Sequence, residues 1–450
     1  MISLTINGKP RTFEHELSVL ELLRALAIDA RLVAVAINGE VVPKKQHAET
    51  SVHDGDLVEI VRMVGGGSSK LDPRSSKAGG SGAASVVIVG AGIVGCAIAY
   101  ELSRRGVASV VLDSRRAGMA ATNAAAGIVA PLAEFQRPGP LVRFGLEGLR
   151  RYPVWRDRLL EDVPDIDVEL DMCGVLRVAF EEDELAELRR GLRYREELGV
   201  ELIELDQQMV RDAEPRLSER IVGGVLCPDE GHLSNQLFTL ALTRAAKQRG
   251  ARIVEGAPVT GFETSGSRVA AVRTPRGDFA CDRVVLAAGA WTGQIAKRLR
   301  AHVPVFPVRG QMLALGRMVT PIHAVVWGPR GYVLPRANGL VFAGSTVEQV
   351  GFRIRTTQRG LAQVRRGAFE LVPQLRHARE HFSWAGLRPG SPDGLPLLGA
   401  LSGWDNVTLA TGHYRNGILL GPITGELIAD LIVSDRVPEA LAPFDPARLM

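Results

Sequence analysis

The amino-acid sequence predicts an α/β protein in which a small α+β unit precedes a larger domain built on a parallel sheet, with a mostly antiparallel α+β domain inserted into it. Three observations predict this architecture. A run of Ser, Gly, Ala, Lys and Pro interrupts the chain near residue 70, an apolar strand enters a glycine-rich turn and a helix near residue 90, and the strand–helix alternation that follows breaks twice. At 450 residues the chain has room for two or three domains.

The composition is that of an ordinary globular protein and argues against several functional classes. The 54 basic and 50 acidic residues nearly balance and form no long blocks, so no nucleic-acid partner is expected. Four scattered cysteines without a CxxC pair argue against a metal site or disulfide framework and favour a reducing, cytoplasmic compartment. The uncharged run 78–100 contains glycines and a strand–turn–helix pattern, so no membrane span is expected.

Residues 1–67 have the pattern of a compact α+β unit. Two strand pairs turn at the Asn-Gly dipeptides 7–8 and 38–39, and Ser18 and Glu21 form a capping box at the start of an amphipathic helix between them. A last strand runs into three glycines. This order of elements resembles the ubiquitin-like β-grasp fold and, more narrowly, the sulfur carrier protein of thiamin biosynthesis.

The segment 68–84 is predicted to be a flexible linker because it consists almost entirely of small and polar residues. The ratio of lysine to arginine changes nearby: residues 1–77 contain five Lys and five Arg, whereas the remainder contains two Lys and forty-two Arg. A carrier needs a free terminal glycine carboxylate, yet Gly66 is followed by Gly67 and Ser68. Two alternatives remain: a protease cuts near Gly66 or Gly67, which an accessible glycine-rich segment favours, or the unit is a docking or solubility domain.

A βαβ unit begins at residue 85 with SVVIVGAGIVGCAIAYELSRRGVASVVLDS. Its turn is a G-x-G-x-x-G motif, which is typical of Rossmann-like dinucleotide-binding domains. Gly90 permits the turn, Gly92 lets a pyrophosphate approach the backbone, and Gly95 allows close packing of helix on strand. The phosphates are then expected at the start of the helix, at Ile93 and Val94.

Asp113 ends the second strand of this unit, 18 residues beyond Gly95. A carboxylate at this place can accept hydrogen bonds from the ribose hydroxyls, and the alternative is a solvated acid at the end of a strand. With strand, turn, helix and acid all in place, the pattern predicts a dinucleotide site.

Two later segments favour FAD over a nicotinamide cofactor. The small residues of 118–131 suit the close approach of a flat flavin ring, and the candidate contacts there are Thr122, Asn123, Ala126 and Gly127. The strand 283–291 enters a small-residue turn of the kind that FAD proteins use near the pyrophosphate, and its candidates are Ala288, Gly289 and Trp291. Val259 lies where FAD proteins touch adenine through the backbone, although an ordinary edge strand accounts for it equally well.

The breaks in the α/β pattern predict the domain segments. An FAD-binding domain is expected from three segments, 85–165, 230–299 and 385–450. A substrate domain is expected from the two segments that interrupt it, 166–229 and 300–384.

Two C-terminal motifs carry a family resemblance that extends over about residues 85–435. SWAGLRPGSPDGLPLLG (383–399) and TGHYRNGILLGPITGELIADLI (411–432) resemble the flavin amine oxidases of the D-amino-acid oxidase and glycine oxidase group. GHYRNGILL is most similar to the glycine oxidases of the thiamin pathway. The resemblance implies non-covalent FAD, a small amino acid or amine as substrate, oxygen as electron acceptor, and a homo-oligomer.

The resemblance also implies roles for individual residues. Arg388 would be the main clamp on the substrate carboxylate, because a guanidinium binds a carboxylate through two parallel hydrogen bonds. Arg415 would lie beside flavin and substrate, and Tyr332 would add a phenolic donor; a surface ion pair is the alternative for each arginine. A loop would contact the flavin pyrimidine edge through Gly412, His413, Asn416, Gly417 and Ile418. Arg309 is either a positive charge near the reduced flavin or a structural arginine, and the role of Arg330 is open.

Together these features predict FAD-dependent oxidation of glycine, sarcosine or small D-amino acids to the imine or 2-oxo acid, ammonia and hydrogen peroxide. The two parts of the chain would then serve one pathway, with the thiamin-pathway adenylating enzyme or thiazole synthase as partners of the N-terminal unit. Two alternatives stay open. One is a D-amino-acid dehydrogenase that passes electrons to an acceptor other than oxygen, and the other is a carrier or interaction protein with a vestigial oxidase.

Overall fold

The computed structural model describes residues 2–6, 9–26, 33–37, 40–43, 46–62, 86–133, 138–316, 318 and 321–450. The chain divides into two units, residues 1–81 and 82–450. The two Asn-Gly turns, the glycines 65–67, the cleavage predicted at Gly66 or Gly67, and the linker 68–84 lie outside the described residues.

The N-terminal unit contains a five-stranded sheet within its described ranges. In spatial order its strands are Lys9–Phe13, Ile2–Ile6, Leu57–Arg62, Val33–Ile37 and Glu40–Val42. In chain order, the first strand of this sheet is Ile2–Ile6 and the last is Leu57–Arg62, and these two pair in parallel. The other neighbouring strands of the sheet pair antiparallel. The helix Val19–Ala25 packs on this sheet and begins with the predicted capping box of Ser18 and Glu21. This arrangement confirms the β-grasp prediction.

The C-terminal unit begins with the predicted βαβ unit, which forms part of a six-stranded sheet. In spatial order the strands are Arg252–Val254, Ser109–Leu112, Val86–Val89, Arg283–Leu286, Val407–Thr411 and Leu397–Ala400. The first five run parallel, and Leu397–Ala400 is antiparallel to its neighbour.

Both faces of the six-stranded sheet are covered, which is why its strands are almost continuously apolar. One face packs against four helices: Ile93–Arg104, Pro140–Asp162, Asn235–Gln248 and Gly421–Ser434. The other face packs against a small antiparallel sheet of Gly261–Ser265, Arg268–Thr274 and Gly277–Ala280. Because alternate side chains of a strand point to opposite faces, Val86 and Ile88 meet the helices while Val87 and Val89 meet the small sheet.

The predicted inserted domain is an eight-stranded, mostly antiparallel sheet among the residues described. In spatial order its strands are Ile203–Asp206, Gly223–Cys227, Val175–Ala179, Val325–Gly328, Gly331–Pro335, Val341–Gly344, Phe306–Leu315 and Glu380–Gly390. Its one parallel pair joins Val175–Ala179 to Val325–Gly328. The helix Gln358–Leu371 buries its apolar side against this sheet. The boundary predicted at residue 384 falls inside the strand Glu380–Gly390, which stays hydrogen-bonded to Phe306–Leu315 along its whole length.

Short elements connect the two large sheets. The strands Ile128–Val129 and Gly231–His232 form an antiparallel pair. The remaining α-helices are Ala121–Ala124, Glu182–Leu192, Arg195–Leu198, Gln207–Ala213 and Thr292–Ala296. Short 3₁₀ helices cover Gly289–Trp291, Lys297–Leu299, Pro373–His377, Glu439–Phe444 and Pro446–Leu449. Among the helices described here, none combines the length and the hydropathy needed to cross a bilayer.

Candidate active site

A cleft with a volume of about 360 Å³ is lined by residues of both large sheets. It brings together most of the residues that the sequence predicts for the site. The predicted residues that line it are Gly90, Gly92, Ile93, Val94, Asp113, Thr122, Ala126, Gly127, Val259, Ala288, Gly289, Trp291, Tyr332, Arg388, His413, Arg415, Asn416, Gly417 and Ile418.

Three predicted cofactor residues, Gly95, Asn123 and Gly412, do not line the cleft. Gly95 lies behind the glycine turn, where a Cβ would stand 1.9 Å from the carbonyl oxygen of Gly90, so its contribution is close packing. Asn123 faces the neighbouring helix and accepts a hydrogen bond from the Gln236 amide at 3.3 Å. Gly412 supplies a left-handed backbone turn, with φ +77°, just before the residues that do line the cleft.

The glycine turn and the helix that follows it form a site for an anion at one end of the cleft. Gly90 has φ +113°, and a Cβ there would lie 2.4 Å from the carbonyl oxygen of Ala287. The helix Ile93–Arg104 starts at Gly92 without a side-chain cap. Thr122 Oγ1 accepts a hydrogen bond from the Ile93 N–H at 3.0 Å and thereby fixes the first turn of the helix. Backbone N–H groups at such a helix start form a binding site for phosphate.

Asp113 lies at the carboxyl end of its strand, beside the glycine turn. Its Oδ2 accepts a hydrogen bond from the Ala91 N–H at 2.7 Å and its Oδ1 accepts one from the Arg115 N–H at 2.8 Å. Burial raises the pKa of the Asp113 carboxyl, and the two backbone hydrogen bonds partly offset that rise. Each oxygen has a second lone pair, so the carboxylate can also accept hydrogen bonds from a ribose.

Arg115 is a cleft residue that the sequence did not reveal. Its guanidinium lies over the ring of Trp291, with Cζ 4.9 Å from the ring centroid. Arg115 follows the strand Ser109–Leu112 and Trp291 follows the strand Arg283–Leu286, which lie on either side of Val86–Val89 in the same sheet. A contact across 176 positions has no local signal. The pair places a cation and an aromatic face on one wall of the cleft.

Arg388 lies on the edge strand Glu380–Gly390, and its guanidinium is half-buried in the opposite wall of the cleft. Its Nη1 donates to the carbonyl oxygen of Thr346 at 3.1 Å, and its Nη2 donates to Ser345 Oγ at 2.7 Å. The guanidinium covers Gly310, where a Cβ would lie 2.4 Å from both terminal nitrogens. Gly310 and Ser345 also line the cleft and carried no signal in the sequence.

An aromatic wall adjoins the arginine. The Tyr332 and Trp327 rings have centroids 4.8 Å apart and lie 33° from parallel. The Tyr332 hydroxyl donates to Met312 Sδ at 3.5 Å, and the Arg415 guanidinium lies 5.7 Å from the Trp327 ring centroid. All four side chains line the cleft, so both predicted arginines and the predicted tyrosine share one site.

His413 begins the loop that forms the floor of the site. Its ring is buried, and its Nε2 lies 3.1 Å from Thr424 Oγ1. Burial lowers the pKa of His413 to about 4, so the ring is neutral near pH 7. The next residue, Tyr414, has a left-handed backbone with φ +49°, and its N–H donates to the Pro389 carbonyl at 2.9 Å. That bond joins the loop to the strand that carries Arg388.

The two other arginines considered from the sequence do not line the cleft. Arg309 is buried and forms an ion pair with Glu348, which agrees with its alternative as a structural arginine. Arg330 is exposed and forms an ion pair with Glu370.

One group of three possible metal ligands occurs in the described part of the chain: Asp171, Cys173 and His232. Arg336 lies 3.5 Å from His232 Nδ1 and can only donate, so the proton of the neutral ring resides on Nε2. Burial raises the pKa of Cys173 to about 11, which keeps its thiol protonated.

The cleft fits FAD on the chemistry of its lining. Its glycine turn and helix start suit a pyrophosphate, Asp113 suits a ribose, and small residues of 120–127 leave open wall for a flat ring. None of the four cysteines lines the cleft, so no thiol is in place for covalent attachment of a flavin.

Comparison with family models gives two matches. Residues 85–431 match the family described as FAD dependent oxidoreductase, and residues 4–67 match the ThiS family.

Individual proteins give consistent results. The bifunctional protein ThiO/ThiG of Synechocystis sp. is 37% identical over 372 residues, which cover 81% of this chain and 54% of that protein, so the chain spans about half the length of this relative. The glycine oxidase of Geobacillus kaustophilus is 32% identical over 81% of this chain and 96% of its own length. The crystal structure of glycine oxidase from that organism superposes with a TM-score of 0.78, covering 82% of this chain and all of that one.

Proposed function

The chain belongs to the FAD-dependent oxidoreductase family and carries a ThiS-family domain at its N-terminus, and on that premise we propose that it oxidises glycine or a similar small amine with FAD and oxygen. The observation that carries the proposal is the Arg388 guanidinium, half-buried in a cleft whose other end suits a dinucleotide. The similarity to the glycine oxidase of Geobacillus kaustophilus over 96% of its length supports the same substrate class.

The chain's own residues would bind and orient the substrate. Arg388 would bind the carboxylate through two parallel hydrogen bonds, because its fork matches the spacing of the two oxygens. Arg415 and Tyr332, on the adjoining wall, would complete the polar surroundings of the carboxylate. Fixing the carboxylate aims the substrate carbon at one place, and orientation of this kind can lower a barrier by about 7–11 kcal/mol.

The other residues would hold the cofactor. The glycine turn and the start of the helix after Gly92 would bind the pyrophosphate, with the Val94 N–H as a donor because the Ile93 N–H already donates to Thr122. Asp113 would bind a ribose. When bound, FAD supplies the acceptor for the two electrons and the hydrogen that leave the substrate carbon. His413, neutral and hydrogen-bonded to Thr424, would stabilise the loop of the flavin edge rather than exchange protons with the substrate.

The aromatic wall supports a small substrate. Trp327, Tyr332 and Met312 line the cleft, and the Trp327 ring lies against the Arg415 guanidinium. We propose that a substrate side chain would extend towards this wall. Glycine, sarcosine and D-alanine fit this description better than larger D-amino acids.

The N-terminal domain supports a place in thiamin biosynthesis. A sulfur carrier and an enzyme that makes a glycine imine would supply two precursors of one thiazole ring. An adenylating enzyme or a thiazole synthase would then bind the N-terminal domain, and the oxidase unit would form a homo-oligomer.

The test is a substrate panel with hydrogen peroxide detection on the full chain. Wild type should be yellow and should form peroxide with glycine, sarcosine or D-alanine. Arg388→Ala should retain the flavin spectrum and lose at least about 100-fold in kcat/KM, as expected when a half-buried charge-assisted clamp is removed. Arg330→Ala is the matched control, because Arg330 is exposed and outside the cleft. Dye reduction without peroxide would instead select the dehydrogenase alternative, and a colourless protein would contradict the oxidase.

A further inference from the structure

The segment behind the Arg388 guanidinium supplies two hydrogen-bond acceptors. Ser345 Oγ accepts from Nη2 at 2.7 Å, and the carbonyl oxygen of Thr346 accepts from Nη1 at 3.1 Å. Both acceptors are neutral, so these bonds fix the direction of the guanidinium without cancelling its charge.

A buried polar network holds that segment in place. The Thr346 hydroxyl donates to Glu348 Oε1 at 2.5 Å, and the Gln311 side chain donates to the same oxygen at 2.6 Å. The Gln311 N–H donates to Thr346 Oγ1 at 3.0 Å. Thr346 and Gln311 are completely buried.

Glu348 is tied to the neighbouring strand at several atoms. Its carboxylate pairs with the buried Arg309, and the two backbones exchange hydrogen bonds of 2.8 and 3.0 Å. Arg309 lies on the strand Phe306–Leu315, whose Val308 is paired with Arg388. The network therefore links the acceptors of the Arg388 guanidinium to the strand beside it, and explains why a second arginine is buried here.

We infer that Ser345 and Thr346 are positioning residues that aim the Arg388 guanidinium at the substrate carboxylate, with Glu348 anchoring Thr346. The inference rests on the proposed function, because it assigns no substrate of its own. It goes further in naming residues that set substrate affinity without being required for cofactor binding. A purely structural role for the network predicts a loss of stability instead, with ligand affinity unchanged in the folded protein.

The test measures binding of glycolate, which has the size and carboxylate of glycine but no amine to oxidise. Titration of the FAD-loaded full chain, followed by the flavin absorbance, gives Kd for wild type, Ser345→Ala, Thr346→Val and Arg388→Ala. Thr346→Ser is the matched control because it keeps the hydroxyl that Glu348 accepts from. Thermal midpoints and FAD content are measured on every variant.

Ser345→Ala removes one hydrogen bond to the guanidinium and should raise the glycolate Kd about fivefold. Thr346→Val removes both hydrogen bonds of the buried hydroxyl, to Glu348 and from the Gln311 N–H, and should raise the Kd at least about fivefold. KM for glycine should rise by a similar factor, and Thr346→Ser should bind like wild type. In the Arg388→Ala background, Ser345→Ala should have no further effect, because it acts through the missing guanidinium.

Two results would overturn the inference. One is wild-type affinity in both Ser345→Ala and Thr346→Val. The other is an equal loss from Ser345→Ala with and without Arg388, which would show that Ser345 touches the ligand directly. If glycolate binds wild type and Arg388→Ala binds it equally well, the proposed function itself fails, and the two failures are thereby distinguished.

Discussion

Gly310→Ala tests the placement of the clamp with the smallest available change. Gly310 lies beneath the Arg388 guanidinium, and a Cβ there would stand 2.4 Å from both terminal nitrogens and 2.5 Å from Cζ. Non-bonded heavy atoms rest about 3.5–4.0 Å apart. The guanidinium must therefore retreat by roughly 1 Å, the difference between the two distances.

The strand itself should tolerate the substitution. The atoms nearest to the new Cβ belong to the end of a long side chain, which can move by rotation about its own bonds. Because Gly310 has no positive φ, alanine adds no backbone strain. We expect the free energy of unfolding to change by less than about 1 kcal/mol. A displacement of about 1 Å at a positioning group can cost on the order of 100-fold in rate, so kcat/KM for glycine should fall between about tenfold and 100-fold.

The assay compares peroxide formation, flavin content and thermal unfolding in wild type, Gly310→Ala and Gly261→Ala. Gly261 is a matched control, because it lies in a strand and a Cβ there meets nothing within 4 Å. A wild-type kcat/KM in a folded Gly310→Ala protein would refute the reasoning, because activity would then not depend on the observed position of the guanidinium.

Three further changes address the cofactor site and two buried titratable groups. Gly90→Ala puts a Cβ 2.4 Å from the backbone oxygen of Ala287, so the FAD content, measured by absorbance, should fall at least about tenfold. Gly191→Ala is the control: a Cβ there meets nothing within 4 Å, and the FAD content should not change. Burial raises the pKa of Glu230 from 4.5 to about 8, so the folded state takes up a proton and its stability falls as pH rises through that window. Glu230→Gln should remove a slope of at most about 1.4 kcal/mol per pH unit from the unfolding free energy, and an unchanged slope would contradict this. Burial lowers the pKa of His413 from 6.5 to about 4, so the unfolded state takes up a proton that the folded state does not, and the free energy of unfolding falls as pH falls from about 6.5 to about 4. His413→Gln should therefore flatten the acid side of the curve of unfolding free energy against pH, measured by denaturant unfolding.

The features predicted well from the sequence are those encoded in neighbouring residues. Gly90, Gly92 and Gly95 lie within six positions, between a strand and a helix, and that spacing has one common structural meaning. The capping box of Ser18 and Glu21 is equally local, and it forms as expected. The order of strands and helices that follows from such signals predicted both large sheets.

The features that were missed depend on register between distant strands. Ser345 and Arg388 meet because their segments flank the same strand, and no spacing along the chain shows which residues stand opposite each other. The same holds for Arg309, whose partner Glu348 decides its structural role. The boundary at residue 384 was predicted from the break in the α/β pattern, but hydrogen bonding to Phe306–Leu315 continues to Gly390.

The strand Glu380–Gly390 explains how the proposed substrate clamp and the proposed cofactor wall keep their separation. At one position the Trp384 indole N–H donates to the carbonyl oxygen of Ala124, in the small-residue segment of the cleft, at 3.0 Å. Four to five residues along, Arg388 faces the cleft and the Pro389 carbonyl accepts from the Tyr414 N–H of the flavin-edge loop. The clamp therefore lies between two direct attachments of its own strand to the two proposed walls of the flavin site. Because a strand rises only about 3.3 Å per residue and this one is held along its length by a partner, the backbone of Arg388 cannot shift along the cleft without breaking one attachment. If the proposed function is correct, the edge strand would fix the position of the arginine backbone, and the network at Thr346 and Glu348 would then need only to set the direction of the guanidinium.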